Sequence, residues 1–163
     1  MKRIGELEKK YALEVLSSQF SASKATNFNV KLEREFAKKF GSKYAVTLAN
    51  GTAGLHVACL VYNLKKTDEV IVPALTMSST AISVLLAGGK PIFADVDPKT
   101  FTICPKSIKK LISKRTRGII SVSVYGLMPD YPAIQKIIKK KNIFLIEDNA
   151  ECFLGKIDGK LVG

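Results

Sequence analysis

Apolar residues recur along this chain with two different periods. In the first forty or so residues they fall at helical spacing. Ile4, Leu7, Tyr11, Val15 and Leu16 form one stripe, and Leu32, Phe36 and Phe40 form another. This predicts helices over 4–16 and 29–40, with Asn27 or Asn29 as N-cap of the second and Gly41 as its C′ stop. Residues 1–41 therefore read as an N-terminal helical segment.

From residue 42 onward, short apolar runs alternate with longer amphipathic stretches. Strands are expected at Tyr44 to Ala49, Glu69 to Val72, Pro91 to Val96, Gly118 to Val124 and Ile143 to Ile146. Helices are expected between them, at Ala53 to Leu64, Ser78 to Ala87, Pro105 to Ser113 and Pro132 to Lys141. Pro73, Gly88-Gly89 and Asp97-Pro98 punctuate the pattern. The strands are continuous apolar runs rather than alternating ones, as expected where helices cover both sheet faces. The order β-α-β-α predicts an α/β fold with a mostly parallel sheet. The final stretch, GKIDGKLVG, reads as a hairpin.

Composition adds limits. With 163 residues, 47% hydrophobic and 25% charged, the chain has the balance of a globular domain with a core. No apolar run is long enough to cross a bilayer, and the charged N-terminus lacks a signal-peptide core, so a cytoplasmic location is expected. Cys59, Cys104 and Cys152 are odd in number and widely spaced, which suits reduced thiols rather than a disulfide or zinc framework; no metal site is expected. The net charge of +12 resides in lysine pairs and one triplet, many near predicted helix ends. It reads as a solvated basic surface, and neither a nucleic-acid nor a membrane partner is expected.

In parallel α/β sheets, ligands bind beyond the carboxyl ends of the strands. Three such ends carry polar chemistry. Asn50-Gly51-Thr52 opens a helix, where free amides and the helix dipole favour an anion; the alternative is an ordinary capped turn. Glu147-Asp148-Asn149-Ala150-Glu151 places carboxylates directly after a buried strand, where they need a cation, a hydroxyl or a protonated heterocycle; a turn carboxylate is the alternative. Pro73 to Thr80 is rich in small hydroxyl residues and opens a helix, as a ligand wall or simply as an N-cap. His56, the single histidine, reads as a packed or partly exposed helix residue. Cys59 and Cys152 read as small core residues, and Cys104 as a weak cap ahead of Pro105. Tyr125-Gly126 follows a strand, where it could line the ligand side of the sheet, and carries no assigned role.

Together, "FAKKFGSKYAVTLANGTAGLH", "DEVIVPALTMSSTAISVLLAGGKPIFADVDPKTFTI", "VYGLMPD" and "IEDNAECFLGKIDGKLVG" resemble the DegT/DnrJ/StrS-type sugar aminotransferases, which are pyridoxal-phosphate (PLP) enzymes of fold type I. The resemblance covers the N-terminal, less-than-half portion of a usual member. It implies that residues 42–163 form an incomplete PLP-binding large domain. It also implies that Gly51 and Thr52 hold the cofactor phosphate and that Asp148 pairs with the pyridinium nitrogen. Glu151 would face the phenolic oxygen where the family usually has Gln or His, and Met77 would cover the ring where the family usually stacks an aromatic side chain. In the family, a lysine in a later FSF…K-type segment carries PLP as a Schiff base. The chain is expected to end before that segment, with no catalytic residue of its own; Lys156 and Lys160 lie in the hairpin instead.

The implied activity is transfer of an amino group from glutamate to a nucleotide-linked keto-sugar, in glycan or surface-polysaccharide biosynthesis, by a homodimer. PLP- or PMP-dependent sugar dehydration is the alternative within the family. A truncated or split non-catalytic remnant is the alternative outside enzyme function, and a basic nucleic-acid-binding module ranks last. An unfinished sheet would leave an edge and a core face uncovered, so poor solubility is expected.

Overall fold

The computed structural model describes residues 4–17 and 27–162, and the Asn27 side chain is not among the described features. The chain divides into two compact units, Met1–Thr47 and Leu48–Gly163. The first holds helices α1 (Glu6–Ser17) and α2 (Asn27–Phe40). The apolar stripe of α1 is mostly exposed, Leu7 and Leu16 included, and the helix buries no residue. Because α2 starts at Asn27, Asn29 lies inside the first turn and is not a cap. A cap before Asn27 would lie outside the described residues. Phe36 and Phe40 stack at 4.3 Å, one turn apart, and Gly41 follows with φ of +68° as the expected left-handed stop.

The expected strand over Tyr44 to Ala49 does not form. No strand pairs with the segment among the described residues, and Tyr44, Val46 and Leu48 are exposed. Apolar alternation gives a strand its faces; the ladder needs a partner, and here none is present. Thr47 is tied instead to α2, its amide and hydroxyl donating to Glu33 at 2.8 and 2.9 Å. Those two bonds hold the Glu33 carboxyl below its usual range.

The second unit is the α/β body. Its elements are α3 (Gly51–Leu60), β1 (Glu69–Pro73), α4 (Ser79–Leu86), β2 (Lys90–Ala94), α5 (Pro105–Leu111), β3 (Thr116–Val122), α6 (Tyr131–Ile138) and β4 (Phe144–Asp148). The four strands form one parallel sheet in the order β2-β1-β3-β4. The period of two sends alternate side chains to opposite faces. Val70, Val72 and Ile120 pack with Leu55 and Cys59 of α3 and Val84 of α4. Ile71, Ala94 and Ile119 pack with Ile108 of α5 and Ile134 of α6. Both faces are thus covered, which is why the strands read as continuous apolar runs.

Two local features fix this body. At Gly118 of β3, an added Cβ would run into the Phe144 ring, which stacks on Tyr62 at 3.6 Å. At the entrance to β1, buried Glu69 accepts from Ser113 Oγ at 2.6 Å and Arg115 Nε at 2.7 Å. Beyond β4, a small antiparallel hairpin joins β5 (Lys156–Ile157) to β6 (Lys160–Leu161). Its turn residues, Asp158 and Gly159, both have positive φ, the hairpin chemistry expected of Asp-Gly. Among the described residues, no helix is long and apolar enough to cross a membrane.

Candidate active site

The carboxyl ends of β1, β3 and β4 and the N-terminus of α3 surround a cleft of about 340 Å³, within the size range of small-molecule sites. Gly51, Thr52, Met77, Asp148 and Glu151, expected from sequence as ligand residues, all line it. They come from segments far apart in the chain, and the parallel topology brings them together because every βα turn emerges on the same side of the sheet.

The α3 end of the cleft is set by Asn50. Its backbone is extended, its side chain accepts the Ala53 amide at 2.9 Å, and its carbonyl accepts the Gly54 amide at 3.1 Å. Asn50 is therefore the cap. Thr52 is not, and neither the Thr52 hydroxyl nor the Gly51 and Thr52 amides have a partner among the described residues. Gly51 has no neighbour within 4 Å of where a Cβ would stand, so the backbone is open to close approach. Unsatisfied amides at a helix N-terminus, with a hydroxyl beside them, suit a phosphate. Among the described residues that line the cleft there is no lysine or arginine, and this helix end would meet an anion with hydrogen bonds and the helix dipole.

Asp148 ends β4. Its Oδ1 accepts the Ala150 amide at 3.1 Å, and its carbonyl accepts the Ser123 amide at 3.0 Å. Next to it, Asn149 turns away from the lining into a buried polar group. Asn149 Oδ1 accepts from Ser123 Oγ at 2.7 Å and Tyr131 OH at 3.4 Å. Burial pushes the Tyr131 hydroxyl's pKa up, against the hydrogen bond from Ser123. Asn149 Nδ2 is buried without a partner. The third wall, after β1, carries Leu75, Thr76, Met77 and Ser79. Thr76 and Thr80 share a hydroxyl–hydroxyl bond of 3.0 Å, and Ser78 makes no side-chain cap to α4. Met77 is largely exposed at the cleft.

Sequence reasoning gave no role to Tyr125, which also lines the cleft. It occupies a tight turn after β3 with φ of 55°, beside Gly126 at 78°, and its amide donates to Glu151 Oε2 at 2.7 Å. The available signal was an aromatic-glycine pair directly after an apolar strand. His56 is half-buried, outside the cleft lining, and its Nε2 is buried without a partner. Cys59 and Cys152 are buried, and Cys104 makes no side-chain cap.

The sequence and the fold are similar to those of known proteins. The chain is 39% identical to the GDP-perosamine synthase of Escherichia coli O157:H7 over 156 residues, 96% of this chain and 43% of that protein. It is also 39% identical over 130 residues to a UDP-2-acetamido-2-deoxy-3-oxo-D-glucuronate aminotransferase of Pseudomonas aeruginosa, covering 80% of this chain and 36% of that one. The chain thus spans less than half the length of these relatives. The solved E. coli GDP-4-keto-6-deoxy-D-mannose-3-dehydratase with bound hydrated PLP superposes with a TM-score of 0.88 at 34% identity, over 100% of this chain and 43% of the other. The fold is accordingly that of the N-terminal part of the large domain of fold type I PLP-dependent enzymes. The family model matches residues 2–163, and the chain belongs to the DegT/DnrJ/EryC1/StrS aminotransferase family.

Proposed function

We propose that the chain is the N-terminal part of a cytoplasmic, homodimeric PLP-dependent enzyme that transfers an amino group from glutamate to a nucleotide-linked keto-sugar, for glycan or surface-polysaccharide synthesis. In this reading residues 1–41 are a helical lead-in and residues 42–163 part of the cofactor-binding domain. One observation carries it: the unpartnered Gly51 and Thr52 amides line the same cleft as the Asp148 carboxylate. A ligand with an anion at one end and a basic ring nitrogen at the other fits that pairing.

Gly51 and Thr52 would hold the phosphate through two amides and one hydroxyl. Asp148 would keep a proton on the ring nitrogen by charge-assisted hydrogen bonding. Met77 would cover the ring with a soft sulfur contact. Glu151 would face the phenolic oxygen through Oε1, since Oε2 is engaged by the Tyr125 amide. When bound, PLP supplies an electron sink for the substrate carbon that exchanges its amine. The same residues would serve sugar dehydration, the activity named for a relative from Yersinia pseudotuberculosis that is 37% identical over 137 residues.

A second reading is a split or non-catalytic remnant: among the described residues that line the cleft there is no lysine to hold the cofactor covalently. Adding PLP to the purified chain, reducing with borohydride and mapping the label tests the site. A stoichiometric label on one lysine, lost when that lysine is changed, argues against the remnant. Reversible binding without a specific label fits both readings, and an FSF…K-type segment downstream in the same reading frame then supports the enzyme and its absence the remnant; no binding at all contradicts the cofactor site.

A further inference from the structure

Two loops beyond the sheet are stitched together at the cleft. Residues 123–126 follow β3, and residues 149–152 follow Asp148 at the end of β4. Ser123 N–H donates to the Asp148 carbonyl at 3.0 Å, and Ser123 Oγ to Asn149 Oδ1 at 2.7 Å. Cys152 Sγ donates to the Gly126 carbonyl at 3.5 Å. The one link made by a charged side chain is Tyr125 N–H to Glu151 Oε2, at 2.7 Å.

That link bears on a strained residue. Leu127 N–H donates to the Val124 carbonyl at 2.9 Å, closing a tight turn with Tyr125 and Gly126 at its centre, both at positive φ. Two successive left-handed residues are the signature of a type I′ turn, which normally has Asn or Asp before Gly. Tyrosine there is strained, and such residues persist only where their surroundings over-determine them. Asn-Gly would make the same turn without that strain, so the ring is what the position gains. Tyr125 is 70% exposed, lines the cleft and meets Phe101 edge-on at 6.4 Å. Phe101 is itself left-handed, with φ of 59°.

We propose that Glu151 is a positioning residue. By accepting the Tyr125 amide it holds the strained turn, so that the Tyr125 ring stands as a fixed wall of the ligand cleft. Its carboxylate therefore acts on the site through Tyr125, besides any direct contact with the cofactor. A side-chain carbonyl can accept the same bond, so glutamine keeps the clamp and alanine loses it. The wall's contact with a ligand rests on the cofactor reading above; the clamp does not.

The test uses the whole 163-residue chain. Amide hydrogen exchange at Tyr125 is measured in the unaltered protein and in Glu151→Gln, Glu151→Ala and Tyr125→Gly. The clamp predicts protection in the first two and exchange at least ten-fold faster at this amide in Glu151→Ala. Tyr125→Gly relieves the strain and should raise thermal stability, showing that the turn is costly for tyrosine. Unchanged Tyr125 exchange in Glu151→Ala overturns the proposal, as does failure of Glu151→Gln to preserve protection. PLP is then titrated while the Tyr125 ring resonances are followed. A shift in the unaltered chain and Glu151→Gln, diminished in Glu151→Ala, supports the wall; binding with unmoved Tyr125 resonances overturns it. If PLP binds none of the variants, the cofactor reading falls, and the exchange result still decides the clamp.

Discussion

Asn50 decides what Thr52 can do. Threonine near a helix start is usually a cap, but here Asn50 already satisfies Ala53 and Gly54, leaving Thr52 for the cleft. At the opposite end of the sheet, Glu69 illustrates a purely structural charge. The bonds from Ser113 and then Arg115 hold its carboxyl below the ordinary value of 4.5. A carboxyl whose folded pKa is depressed stabilises the fold above its unfolded pKa and loses that contribution as pH falls through the folded one. Glu69→Gln should thus destabilise the chain by about 1–2 kcal/mol at neutral pH. The gap to the unaltered protein should close below pH 4.5, as read from urea unfolding midpoints across pH. An undiminished gap in acid would remove the charge from the explanation.

At the scale of elements, β3 and β4 are held in register by an absence, the missing side chain at Gly118. Gly118→Ala should cost about 1–3 kcal/mol by overpacking against the Phe144 ring, seen as a lower thermal midpoint with loss of near-ultraviolet tyrosine signal. Helices and central strands were legible in the sequence because their apolar periods match what they bury, as Val70 to Val72 and Ile119-Ile120 do on two faces. Tyr44 to Ala49 was misread for a physical reason. Its apolar content satisfies strand chemistry, yet a strand exists only where another chain segment offers a ladder, which local pattern does not encode. The lining residues expected from strand ends all meet at one cleft, since parallel topology alone determines that rim. The place of Tyr125 at a strand end was legible, but its role was not, because the bond from its amide goes to Glu151, 26 positions away.

The whole molecule gathers charge that the sequence scatters. Lys65 and Lys66 precede β1, Lys90 begins β2, Lys114 and Arg115 precede β3, and Lys139 to Lys141 precede β4, all exposed. Strand entrances share one edge in a parallel sheet, so these cations lie at the end opposite the cleft. Apart from Lys90 they lie outside the strands, and the expectation is weak, sequence-blind attraction to polyanions. Binding to duplex DNA should vanish between 50 and about 200 mM salt in a fluorescence-anisotropy titration; retention with sequence preference would instead indicate a nucleic-acid site.

The central claim is that the strand-end cleft grips PLP by its phosphate. Calorimetric titration of the purified chain with PLP, and with pyridoxal, which lacks the phosphate, tests it most directly. The account predicts saturable binding of PLP, much weaker binding of pyridoxal, and a loss of about ten-fold in PLP affinity in Thr52→Val, the scale of one hydrogen bond to a charged group. Equal affinities for the two compounds, or PLP binding indifferent to Thr52, would contradict it.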